Sequence, residues 1–237
     1  MRWRGILLGA ALACISAAIW AVLAARDDVT ASAPSRASDC RAPETAVSYR
    51  ITFASTWSAQ THPEGFPASA HYSGLHGATH HAGWSLWRPG GSATPGIERM
   101  AERGKSSPLK EEIRDAIRAG HAGVEIRGDS LKRSPGSLSV DFRITREFPL
   151  VSLVAMLAPS PDWFVGVAAL GLCQDAVWVA ERRVELFAHD AGTDSGRSYE
   201  APDADTQPRE PIRQIETPPF VVAGELRAVG TLTFQRL

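Results

Sequence analysis

Regular alternation of apolar and polar side chains in two distant segments is the feature that most restricts the fold of this chain. Val47, Tyr49, Ile51 and Phe53 alternate with polar or small residues, and residues 138–144 repeat the pattern. A period of two places the apolar side chains on one face, so each segment is predicted to be a half-buried β-strand. Such strands need a second layer to cover their apolar face.

Further strands are predicted along the rest of the chain. Residues 149–157, PLVSLVAML, are apolar on both faces, which is typical of a central strand buried on both sides. The remaining candidates are rich in β-branched and aromatic residues and lie at 163–170, 177–188, 221–226 and 230–234.

Helix signals are confined to the middle of the chain. Ser107 and Pro108 precede apolar residues spaced four apart, and Gly120 can end the helix that they begin. A shorter helix is expected from Pro95 to Arg103. Many short strands with one or two inserted helices favour a mostly β fold, an antiparallel β-sandwich, with residues 40–237 forming one domain.

The N-terminus has the pattern of an export signal. Arg2 and Arg4 precede an uncharged, largely apolar run at 5–25 that ends in small residues. Residues 1–25 are therefore predicted to be a cleaved signal peptide, or else an uncleaved anchor, because the run approaches the ~20 residues that span a bilayer. Residues 26–39 are predicted to be a flexible linker. The expected location is secreted, or periplasmic within the cell envelope.

Composition excludes some partners. The net charge is −1 and no run of basic residues interleaved with aromatics is present, so nucleic acid is not an expected partner. The strong preference for Arg over Lys and the absence of Asn are interpreted as GC-rich bacterial coding.

Three cysteines are present, and Cys14 lies in the export segment. Cys40 and Cys173 are left as a pair in a compartment where disulfides persist, and we expect them to be bonded. Two separately buried thiols are the alternative.

A short acidic segment is the first candidate site. Asp190 and Asp194 lie four residues apart in DAGTDSG, and Asp162 follows a predicted strand in PSPDW. Carboxylates held close together repel one another unless a cation lies between them, and calcium accepts oxygen ligands from loops. The alternative is a solvated turn in which the Asp side chains bond backbone N–H groups.

A histidine-rich segment is the second candidate site. Five histidines fall within twenty residues: His62, His71, His76, His80 and His81. A zinc site is the alternative interpretation, but the spacing lacks H-E-x-x-H and no cysteine is near. Packed or solvated histidines are the favoured interpretation.

No catalytic residue is expected. The segment Gly192–Gly196 resembles the nucleophile segment of trypsin-like proteases, but Arg197 and Ser198 follow it and no upstream histidine motif supplies a base. Trp163 directly follows Asp162, and as an exposed aromatic at a loop tip it would be a candidate partner contact.

Two longer strings resemble a known family. The strings SLVAMLAPSPDWFVG at 152–166 and DAGTDSG at 190–196 strongly resemble the spondin domain of F-spondin. Shorter matching pieces lie in order along the chain, at 49–53, 62–67, 77–80, 86–87 and 101–104, so that the resemblance covers roughly 40–215.

The resemblance implies a C2-like β-sandwich with Ca²⁺ held at one end by three aspartates. At the matching positions these are Asp162, Asp190 and Asp194, and the resemblance also implies the Cys40–Cys173 disulfide. The resulting hypothesis is an exported, matrix-like recognition or adhesion module that binds a cell-surface, matrix or envelope partner: a protein, a polysaccharide or a lipid headgroup. A secreted zinc hydrolase using the His62–His81 segment and a purely structural envelope protein are the alternatives.

Overall fold

The structure, a computed structural model, describes residues 40–237. The predicted signal segment and linker lie outside the described residues. The strands are, in chain order, β1 (Ala46–Ser55), β2 (His71–His80), β3 (Ala122–Leu131), β4 (Gly136–Thr145), β5 (Leu150–Ala158), β6 (Trp163–Gly171), β7 (Cys173–Gln174), β8 (Val177–Trp178), β9 (Glu181–Leu186), β10 (His189–Asp190), β11 (Arg213–Gln214), β12 (Val221–Val222), β13 (Glu225–Leu226) and β14 (Gly230–Arg236).

These strands form two main antiparallel sheets. One sheet has the order β4-β1-β14-β9, and the other has the order β11-β10-β6-β5-β2-β3. Two small pairs, β7–β8 and β12–β13, stand apart from them. The predicted mostly β, antiparallel sandwich is therefore confirmed.

The four-stranded sheet follows from the alternation in the sequence. Tyr49, Ile51 and Phe53 are fully buried between the sheets, and Ile51 lies opposite Phe234 of β14. The intervening side chains face outward, where polar pairs such as Thr52 with Ser139 bond across strands at 3.0 Å.

The six-stranded sheet is covered on both faces. All nine residues of β5 are buried, and Leu153 and Ala155 pack into the core between the sheets. Val154 and Met156 point the opposite way, into a second core formed with the helices. This confirms the prediction of a central strand.

Two helices form an outer layer on this sheet, α1 (Pro95–Arg103) and α2 (Leu109–Arg118). Thr94 caps α1 through a bond from the Ile97 N–H (3.2 Å), and Glu112 of α2 accepts from the Gly96 N–H at 2.7 Å. Within residues 40–237 neither helix has the length and hydropathy of a membrane span.

Some predicted boundaries are wrong. Pro108 occupies the cap position of α2 without a side-chain bond, so the expected Ser107 cap is not formed. The expected strand at 177–188 is split into β8 and β9, and the one at 221–226 is a tight hairpin of β12 and β13.

The histidine-rich segment contains a strand that the sequence analysis missed, β2. Because both faces of β2 are largely buried, its sequence lacks the alternation of apolar and polar residues that identifies a strand with one exposed face. Gly77 is required there, because a Cβ at this position would lie well inside van der Waals contact with the carbonyl oxygen of Ser152 on β5.

The predicted disulfide is confirmed. Cys40 and Cys173 are bonded, with a Cα–Cα distance of 5.6 Å and a sequence separation of 133 residues. The bond joins the segment before β1 to β7. Strands β1 to β6 and both helices lie between the two cysteines in the sequence.

Candidate metal centre

The structure brings the three sequence-predicted aspartates together at one end of the six-stranded sheet. Asp162 ends the turn between β5 and β6, and Asp190 in β10 lies opposite Trp163 of β6. The Ala191 N–H donates to the backbone carbonyl of Asp162 at 3.2 Å. The loop after β10 then places the Asp194 N–H 3.1 Å from the Asp162 carboxylate.

Asp162 is the buried centre of this group. Its Oδ2 accepts hydrogen bonds from the Thr193 N–H (2.8 Å), the Thr193 hydroxyl (3.2 Å) and the Asp194 N–H (3.1 Å). Its Oδ1 is buried and has no partner among the described residues. Burial, and then the charge of Asp190, raise the pKa of Asp162 to about 6. The buried environment and the charge of Asp190 therefore disfavour the ionised form of Asp162, and a nearby positive charge would stabilise that form.

Asp190 is already paired with a cation from the protein. Its Oδ1 accepts from the Gly192 N–H at 2.8 Å, and its Oδ2 accepts from Arg213 Nη2 at 3.1 Å. The other terminal nitrogen of Arg213 bonds Glu210 at 2.9 Å. The position of this arginine follows from the strand register, because Arg213 lies directly opposite Asp190 in β11.

Asp194 shapes its own loop. Its Oδ1 accepts from the Gly196 N–H at 2.7 Å, and its Oδ2 accepts from the Ala204 N–H at 2.8 Å. These bonds are the side-chain to backbone contacts that fix turns rich in Asp and Gly.

The loop that carries Asp194 is held from outside by an arginine. Arg209 donates to the Thr193 carbonyl at 2.6 Å and to Glu98 of α1 at 2.7 Å. Gly192 adopts φ +75°, and a Cβ there would overlap the backbone of Glu210. The local sequence therefore fixes the loop through one left-handed glycine and one bridging guanidinium.

The donor atoms suit a hard cation in their chemistry. They are all carboxylate oxygens, the type that calcium prefers, and one of them is buried without a partner. As the side chains stand, residues 40–237 contain no group of three or more His, Cys, Asp or Glu placed to hold a metal ion. Most carboxylate oxygens of the group already bond backbone N–H groups, and Arg213 covers Asp190 Oδ2. The donor chemistry thus suits calcium, and in the described geometry Arg213 is the group that bonds Asp190 Oδ2.

A cleft of about 630 Å³ opens beside the aspartates. Its charged lining residues are Asp190, Asp194, Arg197, Glu210, Arg213 and Glu216. Trp163 also lines it but is only 3% exposed, because its ring packs edge-on against Tyr199 and Phe220. The expected exposed aromatic at a loop tip is therefore wrong, and Trp163 is part of the wall of the cleft.

The histidine-rich segment does not converge on one point. His62 precedes β2 and packs against Phe220, whereas His71, His76 and His80 are spread along β2. His80 is fully buried and bonds Ser152 Oγ at 2.8 Å and the His81 carbonyl at 2.9 Å. The interpretation of these residues as packed histidines is consistent with this placement, and nothing in the described residues assembles the alternative zinc site.

We expect the buried histidines to lower the stability of the protein as the pH falls from 7 towards 5, against an opposite contribution from Asp162, whose pKa is raised to about 6. Burial lowers the pKa of His80 and, in the same direction, those of His62 and His76. The unfolded chain then binds protons near pH 6.5 that the folded chain resists, so acidification favours unfolding. Urea unfolding at pH 7, 6 and 5 should show a shallower decline for His80→Gln than for the wild type. His71→Gln, at a half-exposed position, serves as the control, and an equal slope for His80→Gln and wild type would contradict the prediction.

The protease-like segment carries no matching geometry. Ser195 Oγ donates to the Ala204 carbonyl at 3.2 Å. His189 bonds the Phe187 carbonyl at 3.0 Å, and its ring packs against the rings of Trp87 and Phe164, which also contact each other. Each of the two side chains is occupied with a structural contact of its own.

Sequence reasoning missed the two arginines that surround the site. Arg213 pairs with Asp190, and Arg209 ties the Asp194 loop to α1. The only signal was the alternation of acids and arginines in the segment 209–216, REPIRQIE. That pattern is also typical of a solvated surface, and the two-residue strands that pair Arg213 with Asp190 are too short to give a periodic signal.

Comparison with known proteins adds a family relationship. The sequence profile described as Spondin_N matches residues 47–220. Spondin-1 of Gallus gallus is 36% identical over 215 residues, which cover 84% of this chain and 26% of that protein. Spondin-2 of Homo sapiens is 35% identical over 173 residues, which cover 70% of this chain and 52% of that protein. The chain thus spans about a quarter of the length of the spondin-1 relatives that it matches.

Proposed function

The chain belongs to the Spondin_N family, and on that premise we propose that it is an exported, non-catalytic recognition or adhesion module that binds calcium. Asp162, Asp190 and Asp194 would hold the ion. The loops that carry them, together with the adjacent cleft, would form the surface that contacts an extracellular or envelope partner.

The observation that carries this proposal is the unpartnered Oδ1 of Asp162. Buried carboxylate oxygens are almost always hydrogen-bonded, because an unmade bond in the interior costs about 1 to 3 kcal/mol. Here the atom is enclosed by the fold, next to the charge of Asp190. A bound Ca²⁺ would supply a ligand partner for Asp162 Oδ1, which has none among the described residues.

Binding there would join two separate parts of the chain. Asp162 belongs to the β5–β6 turn, while Asp190 and Asp194 belong to β10 and the following loop. Residues of β10 and of the following loop also line the 630 Å³ cleft. An ion that fixes these residues would therefore fix the shape of the cleft, which supports recognition of a partner at that end of the sandwich.

Calcium is expected to stabilise the folded chain through Asp162. At about one hundred times the dissociation constant, the free energy of unfolding should rise by ~2.7 kcal/mol, and EGTA should reverse the gain. A Kd of about 0.1 to 1 mM is typical of extracellular calcium modules. Asp162→Asn keeps the side-chain shape and an acceptor oxygen for Thr193, so it should fold but lose most of this response. Urea unfolding with and without CaCl₂ measures the effect.

A matched control removes the same charge elsewhere. Asp129 is exposed on β3, at the opposite edge of the six-stranded sheet from β10 and β11. Asp129→Asn should therefore keep the full calcium response. A folded Asp162→Asn protein that responds to calcium as strongly as Asp129→Asn would refute the site.

The same variants test recognition. Intact cells or extracellular matrix should retain the wild-type chain and Asp129→Asn in millimolar CaCl₂ and release both in EGTA. If Asp162→Asn were retained as well as the wild type, partner binding would not depend on the calcium site. In that case the ion, if it binds, would serve stability alone.

A further inference from the structure

Arg213 forms an ion pair with Asp190 and a second ion pair with Glu210. Its Nη2 lies 3.1 Å from Asp190 Oδ2, and its Nη1 lies 2.9 Å from a carboxylate oxygen of Glu210. The Asp190 side chain is only 12% exposed, whereas that of Arg213 is 61% exposed. The carboxylate is therefore fixed near the buried aspartate, while the arginine approaches it from the solvent side.

We propose that Arg213 is an internal counter-ion that neutralises Asp190 in the metal-free protein and has to release it when calcium binds, so that Arg213 sets the calcium affinity. This inference rests on the proposed function. It assigns a role to a residue outside the three aspartates.

The argument begins with the oxygens of Asp190. Oδ1 accepts the Gly192 N–H bond that shapes the turn, and an ion that binds Oδ2 would share that oxygen with Arg213. Calcium ligands lie at ~2.3 to 2.6 Å from the ion. A guanidinium bonded to the same oxygen would be held close to a divalent cation, and the two positive charges repel each other.

The metal-free protein needs a positive charge at this point. Asp190 lies beside the buried Asp162, because the next residue, Ala191, donates its N–H to the Asp162 carbonyl at 3.2 Å. Arg213, directly opposite Asp190 in the strand register, supplies a balancing charge. Without it, the repulsion between the two carboxylates would act against folding whenever no ion is bound.

The release of Arg213 is made easy by its second partner. Glu210 keeps a bond to Nη1 after Nη2 leaves Asp190, so the guanidinium does not become unpaired. Because the side chain is mostly exposed, water replaces the lost contact. The arrangement is an exchange of one cation for another at Asp190.

The test is calcium titration calorimetry on the full chain at fixed pH and ionic strength. Arg213→Gln should bind CaCl₂ about three- to fivefold more tightly than wild type, which corresponds to the loss of one competing, largely exposed ion pair. The same variant should have a lower melting temperature in EGTA. Arg213→Lys retains a positive charge that can reach Asp190, so its Kd should stay within about twofold of the wild-type value.

Arg197→Gln is the matched control. Arg197 lines the same cleft but is not the ion-pair partner of Asp190. If the effect depends on the direct contact, Arg197→Gln should change the Kd by less than about twofold. Equal tightening in both variants would show that general charge in the cleft is responsible and would overturn the inference, as would an unchanged or weaker affinity of Arg213→Gln.

The two proposals can fail separately. Wild-type binding with an unaltered Kd in Arg213→Gln would overturn the role of Arg213 and leave the calcium site standing. Binding by Arg213→Gln alone would support the counter-ion and overturn calcium binding by the natural chain. Absence of binding in both proteins would overturn both proposals.

Discussion

Replacing both Cys40 and Cys173 with serine is expected to lower the free energy of unfolding by about 4 to 5 kcal/mol. The disulfide closes a loop with a sequence separation of 133 residues, so its loss restores a large conformational freedom to the unfolded chain. The folded chain changes little, because Cys40 and Cys173 lie at the edge of the core between the sheets. Urea unfolding of the double variant against oxidised wild type measures the difference.

Reduction of the wild type provides the control for this variant. Wild-type protein in dithiothreitol should unfold at the same urea concentration as the double variant, and the double variant should not respond to dithiothreitol. A double variant as stable as oxidised wild type would contradict the assigned role of the bond.

Gly192→Ala is expected to lower the free energy of unfolding by about 2 to 5 kcal/mol and to abolish the stabilisation by calcium. A left-handed backbone costs a non-glycine residue about 1 to 2 kcal/mol, and overpacking adds about 1 to 3 kcal/mol. Gly192 has φ +75°, and its Cβ would overlap the backbone of Glu210. Relief of that overlap has to move the segment between Asp190 and Asp194. Urea unfolding with and without CaCl₂ detects both effects.

Gly224→Ala separates the overlap from the backbone strain. Gly224, in the β12–β13 hairpin, has φ +82°, and no atom outside this glycine and its two chain neighbours lies within 4 Å of the position that a Cβ would take there. Gly224→Ala should therefore lower the free energy of unfolding by only ~1 to 2 kcal/mol, the cost of the left-handed backbone, and keep the full calcium response. Equal losses at the two positions would show that contact with Glu210 is unimportant.

The strands that the sequence predicts correctly are those with a clear periodic signal. β1 and β4 each have one face in the core and one in solvent, and β5 lies between two hydrophobic layers. Helix α1 is predicted with its bounds, because Pro95 can begin it and Gly104 can end it. In these elements the local pattern and the tertiary environment agree.

The strands that sequence reasoning misses lack such a signal. β2 is buried along most of its length, and it includes Gly74 and Gly77, which local rules assign to loops. Gly77 is there because β5 approaches too closely for a side chain, which is a property of the assembled sheet. β10 and β11 have two residues each and exist through their pairing with neighbours.

The candidate site is predictable in part for the same reason. Asp162, Asp190 and Asp194 stand in distinctive local segments, and the structure brings them together. Arg213 reaches Asp190 through strand pairing, which no local pattern contains. The burial of Trp163 beneath Tyr199 likewise depends on a distant segment of the chain.

A crystal structure of the chain grown with millimolar CaCl₂ tests the central claim most directly. The account predicts one ion bound by carboxylate oxygens of Asp162, Asp190 and Asp194 at ~2.3 to 2.6 Å, with Oδ1 of Asp162 among its ligands. Arg213 should then have left Asp190. A structure in which calcium is supplied but Asp162 Oδ1 still has no partner, with no cation between the three side chains, would contradict the account.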